Sequence, residues 1–343
     1  MNKKIIAVGL LALLGIGGGV FYGKNKVETE VNEKVFNQIK SLENKFVDIN
    51  GTKNGSVILK KENVKCVVTS SVECVINDLV INNKLSTTTI KKITVTNVEA
   101  ALDFDNVMKD IKNKKPITIK NNIGIVIEGV TMVGDKKEKL MQGMSFDKIS
   151  LTVDTDITNN IAKYFKGSIT TVGLKMSKFD KVQTIPNADI SLDTTDKGSL
   201  LKFKNENFSI SANTTQDLRD FTNIEVNKRK LADINNIDIS LSFNKSLLDM
   251  EKSFFELFQY NGMPANTINT IKAQIELVNQ AIANKKVFVP NTRKGFPQYI
   301  QMIERAGMTL KNKEADLEKV LSYVIGDTNT IQISVSKKVI EVQ

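Results

Sequence analysis

An uncharged apolar run from Ile5 to Gly23, preceded by Lys3 and Lys4 and followed by Lys24 and Lys26, sets the outer limits of what this chain can become. At ~1.5 Å rise per residue a helix of that length approaches the ~30 Å hydrocarbon thickness of a bilayer and is long enough to span it. A secretory signal carries a shorter apolar region, ~7–15 residues, closed by a small-x-small cleavage site. No Ala-x-Ala stands here, although Gly17, Gly18 and Gly19 imitate one, and no Cys is present for lipid attachment. The run therefore reads as a retained anchor, with a cleaved signal as the alternative. No second run of spanning length follows, so the remainder is expected on the far side of the membrane. Gly15, Gly19 and Gly23 fall on one face of the helix, a small-xxx-small pattern that lets two membrane helices pack as a homodimer.

Composition removes whole classes of chemistry. The 343 residues include no His and no Trp, and only two Cys. The commonest general base and every His-dependent triad are thus missing, and a four-ligand Cys/His zinc site cannot be built. No metal or cofactor is expected. No glycine-rich phosphate loop or Gly-x-Ser-x-Gly elbow occurs outside the apolar run, and no carboxylate pair is singled out, so catalysis is not expected. The formal charge of +10 resembles a nucleic-acid footprint, yet among 48 basic residues only Arg219, Arg229, Arg293 and Arg305 are arginines. Phosphate and base readers favour the bidentate guanidinium, whereas these lysines lie scattered in pairs such as Lys60-Lys61 and Lys337-Lys338. They read as a solvated surface with some attraction to anionic lipid, and no nucleic-acid partner is expected.

After the anchor, Val27, Val31, Val35, Ile39, Leu42 and Phe46 recur at helical spacing among charged residues, predicting an amphipathic helix within residues 24–50. It either extends the membrane helix as a stalk or lays its stripe on the folded domain. Asp48 to Thr52 closes it with a turn, and the same residues fit an extended acceptor pattern for N-glycosylation at Asn50.

From about Gly55 to Phe243 the period changes to strict alternation in short β-branched segments, among them Ile123/Ile125/Ile127, Ile149/Leu151/Val153 and Ile237/Ile239/Leu241. Few windows between them suit a helix, which argues against a parallel sheet and for an antiparallel meander. An Ile-hydroxyl-aliphatic element returns at residues 93–95, 149–151, 190–192, 239–241 and 333–335. Gly129-Val130-Thr131-Met132 and Gly173-Leu174-Lys175-Met176 form a second related pair. Such recurrence predicts repeated strand pairs extending one sheet.

Cys66 and Cys74 on a single strand would stand about 26 Å apart at ~3.3 Å per residue and never meet. A three-residue loop at Thr69-Ser70-Ser71 instead sets Val68 against Val72, Val67 against Glu73, and Cys66 against Cys74. Export to an oxidising compartment then predicts a disulfide, with two buried thiols acting as small hydrophobes as the alternative.

The last third returns to helices. Leu247, Leu248, Phe254, Phe255, Leu257 and Phe258 fill an apolar segment that stops at Asn261 to Pro264, and Ile268, Ile271, Ile275, Val278 and Ile282 draw a stripe on a second helix, together a helical hairpin. Residues 297–306 and 313–325 predict two short helices, and 330–342 a strand. The stripe either completes a core or lines an apolar groove for lipid or a partner segment.

Lys3-Lys4, the apolar anchor, Phe21-Tyr22-Gly23-Lys24 and the acidic helix beginning at Glu28 resemble the start of YdgA-like proteins, inner-membrane-anchored periplasmic proteins of bacteria. The resemblance covers about the first 45 residues. It implies a single-pass protein with a repetitive β-rich domain in the periplasm, and carries over no functional residue. The sequence thus predicts an α+β chain: residues 1–23 a transmembrane anchor, 24–50 a stalk helix, 51–244 an extended, mainly antiparallel sheet of repeated strand pairs, and 245–343 helices with a terminal strand. Its expected role is binding in the cell envelope, either of lipid in a groove between sheet and helices or of envelope proteins as a scaffold.

Overall fold

The computed structural model describes residues 28–46, 55–68, 71–83, 86–98, 113, 115–116, 119–134, 143–159, 161–178, 181–219, 237–246 and 265–343. The expected anchor with Gly15, Gly19 and Gly23, the turn at Asn50 and the apolar segment from Leu247 to Phe258 lie outside them. Among the described residues no helix is long and apolar enough to cross a membrane. The fold is α+β, with mostly antiparallel sheet and helices concentrated toward the C-terminus.

Packing divides the chain into two units, Met1–Lys197 with Asp217–Ile224, and Gly198–Gln216 with Glu225–Gln343. The first opens with helix α1 (Glu28–Ser41) and a 3-10 turn (Leu42–Lys45). Its strands are β1 (Gly55–Ile58), β2 (Val64–Val68), β3 (Val72–Asn83), β4 (Ser86–Val98) and β5 (Ile119–Gly134), followed by β6 (Gly143–Thr158), β7 (Ile161–Val172), β8 (Leu174–Lys178), β9 (Lys181–Ile185) and β10 (Ala188–Thr195). They run in the order β1-β3-β4-β5-β6-β7-β10, with β2 also on β3 and β8 bridging β6 and β9. This is the meander the alternation predicts.

The stripe on α1 lies on the sheet rather than extending as a stalk. Val31, Val35 and Ile39, one turn apart, are buried together with Val57, Val64, Cys66, Cys74, Ile76, Ile93 and Val95. Each fully buried aliphatic contributes about 1.5–3 kcal/mol, so this contact, rather than helix propensity, is what holds a helix of 14 residues. The same helix and its 3-10 turn close the free edge of the sheet. Cys66 N–H donates to Asn32 Oδ1 at 2.6 Å, Val57 N–H donates to Glu43 Oε1 at 2.8 Å, and Lys40 Nζ donates to Val57 O. Edge groups so occupied are withdrawn from pairing with another chain.

The β2–β3 hairpin has the predicted register: Val68 faces Val72, Val67 faces Glu73, and Cys66 faces Cys74. The two cysteines are disulfide-bonded with Cα atoms 4.0 Å apart, and both are buried in the core.

Alternation breaks at one shared level of the sheet in β3, β4, β5 and β6. Inward residues are separated by two outward ones at Ile76-Asn77-Asp78-Leu79, Ile90-Lys91-Lys92-Ile93, Ile127-Glu128-Gly129-Val130 and Phe146-Asp147-Lys148-Ile149. Beyond β6 the line continues through Gly173, between β7 and β8, and Pro186, between β9 and β10. Asp78, Gly129 and Gly173 all adopt positive φ (52°, 63° and 66°). Because neighbouring strands take the extra residue together, the register on either side is kept, and the sheet bends along a transverse crease. The related Gly129 and Gly173 segments of the sequence are both parts of this line.

The second unit holds β11 (Gly198–Asn205), β12 (Phe208–Thr214) and β13 (Ile237–Phe243), then α2 (Ala265–Ala283), α3 (Lys285–Lys294), α4 (Phe296–Arg305), β14 (Thr309–Leu310), α5 (Glu314–Val324), β15 (Ile331–Ser336) and β16 (Val339–Val342). Strand order is β11-β12-β13-β15-β16-β14, with only the two-residue β14 parallel to its neighbour. The predicted strand over 330–342 is a hairpin instead: Lys337 and Lys338 both take positive φ and turn the chain between Ser336 and Val339. Helix α3 was not expected, because Val287, Val289 and Pro290 make a poor helix on propensity alone. Phe288 and Val289 pack it onto Ile282, Phe296, Leu321 and Ile325.

The five recurring Ile-hydroxyl-aliphatic elements do not sit at one repeated position. Ile93 and Ile149 both flank Ile127, and Val95 and Leu151 both flank Ile125, so the first two copies align. The copy at 190–192 is displaced by two residues, placing Ile190 rather than Leu192 in line with Leu151 through Ile169. Those at 239–241 and 333–335 pair with each other, antiparallel.

Candidate binding surfaces

Residues facing one another across antiparallel strands lie on the same face, so register traces side-chain rows directly. In the first unit one row runs Val95, Ile125, Leu151, Ile169, Ile190. Its exposure climbs along the row: Val95 1% and Ile125 3% in the core that α1 joins, Leu151 half-buried, then Ile169 37% and Ile190 40%. Ile125 belongs to the buried cluster that α1 joins and Ile169 does not, so a single apolar row passes from filled core to open surface.

The opposite face of the same strands is polar. Thr152 and Ser168 hydroxyls stand 2.6 Å apart, Lys92 pairs with Glu128 at 3.6 Å and Lys163 with Asp156 at 3.3 Å. Tyr164 OH donates to Asp154 at 2.9 Å, and that carboxylate holds the phenol above its ordinary titration range. The sheet therefore has one wet side and one apolar side, only part of which is closed.

The second unit shows a similar contrast on its own strands. Phe203, Ile210, Leu241, Ile333 and Val342 form a row. Val342 is buried beneath α5, while Ile210 and, two residues before Phe203, Leu201 are exposed. Phe203, Phe208, Phe243 and Tyr323 stack in succession with ring centroids 5.2, 6.3 and 6.2 Å apart. The succession of rings ends on Tyr323, whose hydroxyl donates to Lys245 O at 2.9 Å and is pushed above its ordinary pKa by burial.

Of the stripe on α2, only Ile282 enters a core, with Phe288, Phe296, Leu321 and Ile325. Ile271 and Ile275 are half-buried and Val278 is exposed; the side chain of Ile268 lies outside the described residues. Among the four whose side chains are described, the structure thus buries Ile282 alone. Beside this helical core, α3 and α5 leave a shallow cleft of about 310 Å³ with a floor of Val289, Leu321 and Ile325. Its rim is closed by two ion pairs, Lys285 with Asp327 at 2.6 Å and Arg293, bidentate, with Glu318 at 2.7 and 3.1 Å. No group of three or more His, Cys, Asp or Glu side chains suited to a metal occurs among the described residues.

Sequence reasoning singled out Ile190 through its recurring element but missed Ile169. The available signal was its own Ile-Thr-Thr context, which continues the alternation Gly167, Ile169, Thr171. Comparison with protein-family models, with curated proteins and with solved structures finds no match for this chain.

Proposed function

We propose that this chain is a membrane-anchored envelope protein that binds an apolar ligand, a lipid acyl chain, along the open part of its apolar sheet face. The observation that supports the reading is the single row on which Ile125 is buried in the core while Ile169 and Ile190, in register with it, stand more than a third exposed. Large exposed aliphatics in a line, backed by a rigid sheet, suit an extended hydrocarbon better than a compact polar ligand. The apolar run at Ile5–Gly23 and the resemblance of the first 45 residues to YdgA-like proteins supply the location: an inner-membrane anchor with the folded part in the periplasm. A chain with no His and only two Cys favours binding over catalysis.

The test is site-specific photocrosslinking of the full chain in cells, with a benzophenone amino acid at Ile169 or Ile190 on the apolar face and at Ser168 or Ser191 on the polar face. Lipid adducts, identified by mass, are expected at 169 and 190 and not at 168 or 191. Equal or absent lipid labelling on both faces overturns the reading. A protein adduct at 190 would instead favour the scaffold role, with the row as an assembly interface.

A further inference from the structure

Helices α2, α3 and α4 expose large apolar side chains that the sheet reading does not use: Leu277 and Met302 at 65%, Val287 at 53%, Tyr299 at 47% and Val278 at 44%. Charge over the same stretch is one-sided. From Ala265 to Arg305 the cations are Lys272, Lys285, Lys286, Arg293, Lys294 and Arg305, and the anions only Glu276 and Glu304. Asp327 and Glu318 occupy Lys285 and Arg293. Lys272, Lys286, Lys294 and Arg305 form no ion pair among the described residues and are exposed. Helix α4 is strongly amphipathic: Phe296 is buried, Ile300 and Ile303 are half-buried, and Tyr299 and Met302 face outward.

We propose that α2–α4 form a docking surface for an anionic lipid bilayer, with Val287, Tyr299 and Met302 entering the interface and Lys286, Lys294 and Arg305 meeting headgroup phosphates. Exposed apolar residues alternating with unmatched cations are what an interfacial helix presents to a charged membrane, and long basic side chains lay their stems along that boundary while the charge reaches the phosphates. The inference rests on the anchoring half of the proposed function, which puts this unit within reach of a bilayer, and is independent of any ligand on the sheet row.

The experiment uses the full chain in proteoliposomes with an environment-sensitive fluorophore on Met302→Cys or Val287→Cys, and Val182→Cys on β9 as an equally exposed reference. Vesicles of phosphatidylethanolamine with phosphatidylglycerol are compared with pure phosphatidylcholine. A blue shift at 302 and 287 in anionic vesicles only, with none at 182, is expected, and roughly 0.5 M salt should reverse it by shortening the screening length. Lys286→Glu with Lys294→Glu and Arg305→Glu should abolish the shift at an unchanged unfolding midpoint. Identical emission in both vesicles overturns the proposal. So does a shift that follows protein concentration rather than lipid charge, which would mark a second copy as the partner. A lipid adduct at Ile190 without the Met302 shift would sink this inference alone; the shift without the adduct would sink only the sheet reading.

Discussion

Gly173 stands across from Asp147 on the crease, and the Cβ it lacks would fall 2.7 Å from the Asp147 Cβ. Gly129 is placed similarly, its absent Cβ 2.8 Å from the Cβ of Lys91. Both have positive φ, so an added side chain meets backbone strain and a neighbour at once.

Gly173→Ala is accordingly expected to cost about 2–4 kcal/mol, the sum of the left-handed penalty and overpacking. Gly326→Ala, at φ 76° with no atom within 4 Å of its Cβ position, should lose only about 1 kcal/mol. Denaturant unfolding of the two variants checks this; equal losses would mean the crease is not tightly packed.

Replacing Ile76, fully buried, by Ala should cost about 2–5 kcal/mol because a cavity is left. Ile190→Ala should cost under about 1 kcal/mol, since so exposed a side chain leaves no cavity. A large loss at 190 in ligand-free protein would mean the face is closed. The same logic separates Ile282→Ala, in the helical core, from Ile275→Ala, which is half-buried.

The disulfide closes a short ring, worth about 2–3 kcal/mol on loop-closure grounds. Denatured, unreduced protein should label with no thiol reagent, and Cys66→Ser should lower the unfolding midpoint without abolishing the fold.

Lys337 and Lys338 hold the two left-handed positions of a hairpin turn where Asn-Gly is the favoured pair. Lys337→Asn with Lys338→Gly is expected to stabilise by about 1 kcal/mol, read as a rise in unfolding midpoint.

Glu341 is held below the ordinary carboxylate range, chiefly by the 2.9 Å contact from Lys311. With the folded pKa depressed, the contribution is present above the unfolded value of 4.5 and is lost as pH falls through the folded one. Lys311→Met should therefore destabilise at pH 7 and become neutral once the pH falls below the folded pKa of Glu341; a pH-independent loss would show that packing, not charge, carries it.

Local patterns made several features legible in the sequence alone. A three-residue loop between alternating segments leaves one register, and that register put Cys66 against Cys74. The stripe of Val31, Val35 and Ile39 identified a helix face that must be buried. The meander followed from alternation without helical windows.

What alternation could not disclose is where it fails. Asn77-Asp78 and Lys91-Lys92 look like ordinary polar pairs until pairing aligns them with Gly129, Asp147 and Gly173, because a crease is a property of strands side by side and of no strand alone. Helix α3 exists because Phe288 and Val289 bury against residues distant in sequence, overriding the weak propensity of its own segment. The chain likewise fixed that Ile125, Ile169 and Ile190 alternate toward one face. Only the tertiary structure decided that the first is closed in the core and the other two are left open, since burial depends on what packs above a residue and periodicity records only the side to which it points.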